Sequence, residues 1–160
     1  MKVLVTGTRS YHDPQRIFNA LSLWWDQQDE DITLVHGACP HPPAKLIGEN
    51  MYSRKYADRT EWSVDMLANE FAQNAKWITK VVPADWNRCD DGCYHKPRKD
   101  ASGVNYCPAA GPRRNKKMVD MLNPDKDVVL AFPYGKSAGT RGCIRLAEKA
   151  GLHVIVYELE

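Results

Sequence analysis

The stretch Lys2-Val3-Leu4-Val5-Thr6-Gly7-Thr8-Arg9-Ser10 decides the fold. Its apolar run does not alternate with polar residues, so both faces of the strand are covered, and it ends directly in a small, glycine-bearing loop. Four further runs read as strands: Ile32 to His36, Ile78 to Val82, Asp127 to Phe132 and His153 to Tyr157. Between the first two, Asp13 and Pro14 read as N-cap and first helical residue, and Ile17, Leu21, Trp24 and Trp25 recur at helical spacing. A second helix is predicted over about Ser63 to Ala75, a third over Arg113 to Leu122, and a fourth over Ala138 to Ala150, closed by Gly151. Alternating strands and helices with right-handed crossovers predict an α/β fold, a Rossmann-like three-layer sandwich around a mainly parallel five-stranded sheet.

The 160 residues fit one domain, since a domain takes roughly 100–200. Two segments, at about 40–60 and 87–108, interrupt the pattern and read as insertions. With 22 basic and 20 acidic residues the chain has no charge footprint for nucleic acid or an anionic membrane. The absence of an 18-residue apolar run and of a leader-like start predicts a cytoplasmic protein without a membrane partner. Five cysteines, an odd number, exclude a fully paired disulfide framework.

In an open parallel sheet the ligand site lies beyond the carboxyl ends of the strands. The residues there are Gly7-Thr8-Arg9, His36-Gly37-Ala38 and Pro133-Tyr134-Gly135-Lys136-Ser137-Ala138-Gly139-Thr140. Glycines permit close backbone approach, and a following helix start offers free N–H groups to a phosphate. Three such loops on one edge predict an anionic small molecule, a nucleotide or sugar phosphate, with Arg9, Arg113, Arg114 and Lys136 as candidate phosphate partners. Neither the dinucleotide-binding G-x-G-x-x-G nor the P-loop pattern is present in these loops. Trp86 follows the third strand and either stacks on a base or packs. His36 either touches a phosphate or is satisfied by backbone. The segment holding His41 and Tyr52 to Tyr56 reads as a lid or a dimer surface, between which composition does not choose.

Cys89-x3-Cys93-x-His95 is followed, with eleven residues intervening, by Cys107. Three thiolates and an imidazole form a standard tetrahedral set for structural zinc, and a polar loop gives free thiols no apolar interior. Redox-active thiols and a disulfide are the alternatives.

The ordered series VTGTRS, VHGAC, SVDMLANEFA, VPADW, CPAAGPRRNKKM and VLAFPYGKSAGT resembles the YspA-like (cpYpsA-related) branch of the SLOG superfamily, common in phages and actinobacteria. More distantly it is similar to the LOG (lonely guy) phosphoribohydrolases. The resemblance implies a Rossmann-like fold that binds a nucleotide or a nucleotide-derived ligand such as a nucleoside phosphate, ADP-ribose or an NAD-related molecule, for sensing, sequestration or processing, and it implies dimer formation. Carried over residue by residue, Arg114, followed by Asn115 and then Met118, takes the place of the functional arginine of the LOG helix, with Gly111 and Arg113 just before it. Gly135, Gly139 and Thr140 take phosphate-loop positions. The LOG glutamate falls at Gly142 or Cys143, so Asp65 becomes the candidate carboxylate, as ligand contact, as cap of its own helix, or, with Arg114, as a catalytic group of a nucleotide N-glycosidase. A nucleic-acid-binding module using the cysteine loop is a weaker third class.

Overall fold

The computed structural model describes residues 1–44, 46–47, 55–56, 59–93, 95–96 and 98–160. Its elements in chain order are β1 (Lys2–Gly7), α1 (Pro14–Trp25), β2 (Thr33–His36), β3 (Leu46–Ile47), β4 (Lys55–Tyr56), α2 (Val64–Asn74), β5 (Ile78–Val81), β6 (Arg98–Lys99), β7 (Asn105–Tyr106), α3 (Ala110–Asp120), β8 (Val128–Phe132), α4 (Ala138–Lys149) and β9 (His153–Val156). Five strands form one parallel sheet in the order β5-β2-β1-β8-β9. The chain moves outward from β1 to β2 and β5, then returns to the other side of β1 to add β8 and β9. Strand order therefore reverses between β1 and β8, and the carboxyl ends of those two strands frame the crevice where such sheets bind ligands.

The continuous apolar runs are explained by the two cores they serve. Val3 and Val5 point to the layer that packs Ile17 and Leu21 of α1 and Leu67 and Ala68 of α2. Leu4 and Val129 point to the opposite layer, with Met118 and Val119 of α3 and Cys143 and Ala147 of α4. Phe132 and Leu130 are fully buried. Removing the Phe132 ring leaves an unfilled cavity in the first layer, so Phe132→Ala is expected to cost about 3–5 kcal/mol of unfolding free energy in a urea titration.

Two sequence readings change, and a third falls largely on residues that the structure does not describe. Helix α3 begins at Ala110, three residues ahead of the expected Arg113. Pro112 then falls in its first turn, where the missing N–H has no intrahelical partner to lose. Asp65 does not cap α2; Ser63 does, its Oγ accepting from Met66 N at 3.2 Å. Most of the segment holding Tyr52 to Tyr56, read as a lid or dimer surface, lies outside the described residues. His41 is described, and its Nδ1 accepts from Ser63 N at 3.0 Å, which ties the segment's start to the head of α2.

Gly7 matters for a reason other than ligand approach. A Cβ there would lie 2.5 Å from Cβ of Val64 and 2.6 Å from both of its methyls. The bare backbone lets the first turn of α2 seat against the end of β1, joined by Val64 N donating to Thr8 O at 3.1 Å. This brings Asp65 to the strand-end edge. Gly7→Ala is expected to lower stability by about 1–3 kcal/mol through overpacking against a stiff β-branched neighbour, read as a lower urea midpoint at unchanged m-value.

Candidate ligand cleft and metal centre

At the β1/β8 switch point lies a cleft of about 350 Å³, lined by Thr8 and Arg9 after β1, Asp65 of α2, Arg114 and Asn115 of α3, and Ser137, Gly139 and Thr140 at the head of α4. Two further hollows adjoin it. One, of about 570 Å³, runs between α3 and α4 past Trp86 and Gly111. The other, of about 230 Å³, is bounded by Gly37, Ala38, Pro83 and Trp86. Arg9 and Arg114 line all three, and among the described residues they alone do so.

Each side chain is held by local structure. Arg114 Nη1 donates to the Gly37 carbonyl and its Nε donates to Asn115 Oδ1 at 2.9 Å. A side chain at Gly37 would overlap that guanidinium. Arg9 stacks over the Trp86 indole, its guanidinium carbon 5.4 Å from the ring centroid. Trp86 in turn lies against Gly111, where a Cβ would come within 3.0 Å of its ring. Asn115 Nδ2 donates to Gly139 O at 3.3 Å, fastening α3 to the head of α4. Ser137, the N-cap of α4, has left-handed φ +37° and its Oγ pairs with Thr140 Oγ1 at 3.0 Å. No side chain caps this helix, so its first N–H groups and the positive end of its dipole face the cleft.

Asp65 is buried, and its Oδ2 accepts from Cys39 N at 3.0 Å. Burial pushes its pKa up, against the lowering pull of the Cys39 N–H, His36 and Arg114. It fixes the turn after β2, in which Ala38 takes a left-handed φ of +59°. His36 is buried directly behind. Its Nδ1 accepts from Ala38 N and its Nε2 pairs with Asn69 Oδ1, each at 3.1 Å, so the neutral tautomer carrying hydrogen on Nε2 satisfies both. It is satisfied by backbone and by a second side chain, and does not reach the cleft.

Burial pushes the His36 pKa below its ordinary value. Between the unfolded value, near 6.5, and the lower folded one, the unfolded chain binds the extra proton, so stability falls as pH drops through that window. The loss is expected to be at most about 1.4 kcal/mol per pH unit, and His36→Gln should flatten the dependence of the urea midpoint between about pH 7 and 5.

Some expected site residues lie elsewhere. Pro133 is buried, its carbonyl accepting from Leu159 N. Gly135 and Lys136 are exposed and present their carbonyls to Arg141, which also pairs with Glu158 at 2.8 Å. Arg113 turns away from the cleft altogether. Its Nη1 donates to Cys93 Sγ at 3.0 Å and Cys107 Sγ at 3.4 Å, its Nη2 donates to Arg88 O at 2.6 Å, and its Nε lies 3.4 Å from Asp90. Successive helix positions point about 100° apart, which is why neighbouring arginines serve different centres.

That second centre is built from Cys89, Cys93, His95 and Cys107, whose ligand atoms all lie within 4.8 Å of one another. Cys89 Sγ to His95 Nε2 is 3.4 Å, Cys107 Sγ to His95 Nε2 is 3.5 Å and Cys93 Sγ to Cys107 Sγ is 3.6 Å. A tetrahedron with metal–sulfur and metal–nitrogen bonds of ordinary zinc length has edges of about 3.6–3.8 Å, so these atoms are already near the corners a metal needs. His95 Nδ1 lies 2.8 Å from Lys96 O; donating there leaves Nε2 free as a ligand. Between His95 and Cys107 the chain folds as the β6–β7 hairpin, closed by Asp100 Oδ1 accepting from Ser102 N and Val104 N. Cys107 N donates to Trp86 O at 2.6 Å and Cys107 O accepts from Ala110 N at 3.1 Å. The cluster is thus bonded directly to the cleft's aromatic wall and to the first residue of α3.

Sequence reasoning gave no site role to Met118 in the cleft, or to Arg145, Leu146 and Lys149 beyond it. The last three share a face of α4 with Gly139 and Gly142, a spacing visible in sequence once Gly139 is placed at the site.

These features define the class: a doubly wound α/β protein with a basic cleft at its switch point and a metal-competent cluster of three cysteines and one histidine in an insertion. No helix among the described residues is long and apolar enough to cross a membrane. No family model matches the chain. It is 28% identical, over 96% of its length and 94% of the relative's, to the Gene 61 protein of Mycobacterium phage D29. Among solved structures, the C-terminal domain of a hydrogenase from Pyrococcus furiosus aligns with 98% of this chain and 90% of its own at a TM-score of 0.42 and 15% identity, a likeness that defines neither fold nor function.

Proposed function

We propose that the protein binds a nucleotide or nucleotide-derived ligand, a nucleoside phosphate or a molecule built from one, and that it is a YspA-like member of the SLOG superfamily. The observation that carries this reading is the meeting of Arg9 and Arg114 with the uncapped head of α4 at the switch point. A phosphoryl group fits between them, paired with guanidinium and helix N–H donors, and the indole of Trp86 offers a platform for a base. The phage relative supports a phage–host setting in which such a metabolite is sensed, sequestered or processed.

The same reading takes the ion of the second centre as zinc. Thiolate and imidazole donors select it, and four protein ligands leave no position for water, so its task is structural. It would hold Trp86 and the start of α3 in place.

Calorimetric titration with nucleoside mono- and diphosphates, ADP-ribose and NAD is expected to give saturable binding to at least one, lost in Gly139→Asp. A Cβ at Gly139 meets open space, so this variant folds while placing a carboxylate at the phosphate position. Failure of every ligand to bind, or unchanged binding in the variant, overturns the proposal. Hydrolysis is the second reading, favoured by the buried Asp65 with its raised pKa. In that case water cleaves the N-glycosidic bond of a bound monophosphate, its hydroxyl going to the anomeric carbon of the released pentose phosphate and its proton to the free base, and Asp65→Asn stops the release.

A further inference from the structure

The hollow between α3 and α4 is larger than the cleft it joins, and it continues well beyond the site of a single phosphate. From Gly139 to Lys149 it follows α4 for about 15 Å. Its near end holds Arg9, Arg114 and Trp86, the Arg145 guanidinium lies beside Gly142 one turn further along α4, and Leu146 and Lys149 line the rest. No carboxylate lines it, and none of its four cations forms an ion pair among the described residues, whereas Arg113, Lys116 and Arg141 on the same two helices all do. These cations are therefore free for an anion.

The helix itself is written against its own propensity here. Gly139 and Gly142 stand one turn apart in a twelve-residue helix, although glycine is among the poorest helix formers. Close packing does not demand either: a Cβ at Gly139 would meet nothing within 4 Å, and one at Gly142 only the Arg145 guanidinium at 3.7 Å. Their effect is to keep the groove wall bare over the first turn of α4, between the cleft and the Arg145 guanidinium. A local rule broken without a packing return is expected where a ligand approaches the backbone.

We infer that the groove receives the distal part of a two-headed ligand: a nucleotide bearing a second phosphoryl group on the far side of its nucleoside, taken by Arg145 and Lys149 while the first phosphoryl group occupies the cleft at the head of α4. The inference rests on the nucleotide-binding reading and narrows its ligand class. Mononucleotides fill only the near half of the site. The charge pattern, one pair of cations beside the Trp86 indole at the head of α4 and a second pair beside Leu146 further along the same helix, matches phosphate–nucleoside–phosphate order rather than a uniformly charged strand.

The test compares, by calorimetry on the full chain, each of the four 5′-monophosphates with the matching 5′-phosphorylated linear dinucleotide. At least one dinucleotide is expected to bind about tenfold or more tighter than its monophosphate, the gain from a second charge-assisted contact. The exposed double variant Arg145→Glu/Lys149→Glu should remove that advantage, and Gly142→Leu, which fills the groove without altering charge, should remove it too. Equal affinities of dinucleotide and monophosphate overturn the inference and leave the nucleotide reading standing. Retention of the full advantage in either variant also overturns it. No binding of any monophosphate or dinucleotide overturns the inference, and the nucleotide reading falls with it when nucleoside diphosphates, ADP-ribose and NAD fail to bind as well.

Discussion

Protein purified without added metal is expected to carry about one equivalent of zinc, and stripping the ion with a strong chelator should unfold residues 86–112 as a unit while the central sheet persists. Binding of structural zinc in small finger domains contributes roughly 10–16 kcal/mol, and nothing else in this insertion approaches that scale. The β6–β7 hairpin is two residues on each side and largely exposed. Of the four cluster residues only Cys107 is buried. By contrast, both apolar layers around the sheet are built from side chains outside residues 86–112. Three thiolates and a dication leave one net negative charge, which the Arg113 guanidinium offsets at two of the sulfurs. Metal analysis and hydrogen exchange read the outcome. Metal below a tenth of an equivalent, or unchanged exchange over 86–112 after chelation, would falsify the assignment. Arg113→Ala should keep the fold and weaken metal affinity about 10–100-fold, as loss of an outer-shell partner does. Because Cys107 bonds Trp86 and Ala110 directly, the stripped protein should also lose nucleotide affinity.

How far the sequence could be read depends on which interactions set each feature. The inner strands β1 and β8 were legible because a strand covered on both faces must be apolar throughout, and Leu4 and Val5 satisfy that on opposite layers, whereas the edge strands β5 and β9 are largely exposed and show through their β-branched residues. The four metal ligands were legible because chelation needs particular donor atoms at short spacing, and the structure brings those four together. The helix start at Ala110 was not, since its first N–H is satisfied by Cys107 O in a backbone turn and no side chain caps the helix to announce it. Neither was the division of labour between Arg113 and Arg114: two adjacent cations look alike in a string, and only helix geometry separates them. Gly7 and Gly37 read as ligand-approach glycines, yet each accommodates a neighbouring side chain, Val64 in one case and Arg114 in the other. Sequence shows that a side chain is absent but not what fills its place.

Arg114→Ala is expected to weaken nucleotide binding about 100-fold or more with little change in melting temperature, the largest functional loss of any single substitution in the cleft. The magnitude follows from roughly 3 kcal/mol for a charge-assisted contact in a partly desolvated site, where about 1.4 kcal/mol is tenfold. Arg114 lines all three connected hollows, so no pose of the ligand escapes its loss. Stability is spared because the side chain is only partly buried and caps no helix; the Gly37 carbonyl it releases opens onto the cleft. Arg114→Lys should rescue little. An ammonium cannot hold the Gly37 carbonyl and Asn115 Oδ1 while offering a planar edge to phosphate. The decisive companion is Gly37→Ala, which lies behind the guanidinium and does not line the cleft at the head of α4. Its methyl would occupy the place of the guanidinium, and because the obstructing group is the free end of a flexible side chain, the arginine moves and the sheet does not. Gly37→Ala should therefore reproduce the binding loss of Arg114→Ala while melting close to wild type, and the double variant should bind no worse than Arg114→Ala alone. Additive losses in that double-mutant cycle would mean that Gly37 acts independently of the arginine and that the guanidinium's position over β2 is not what the ligand reads.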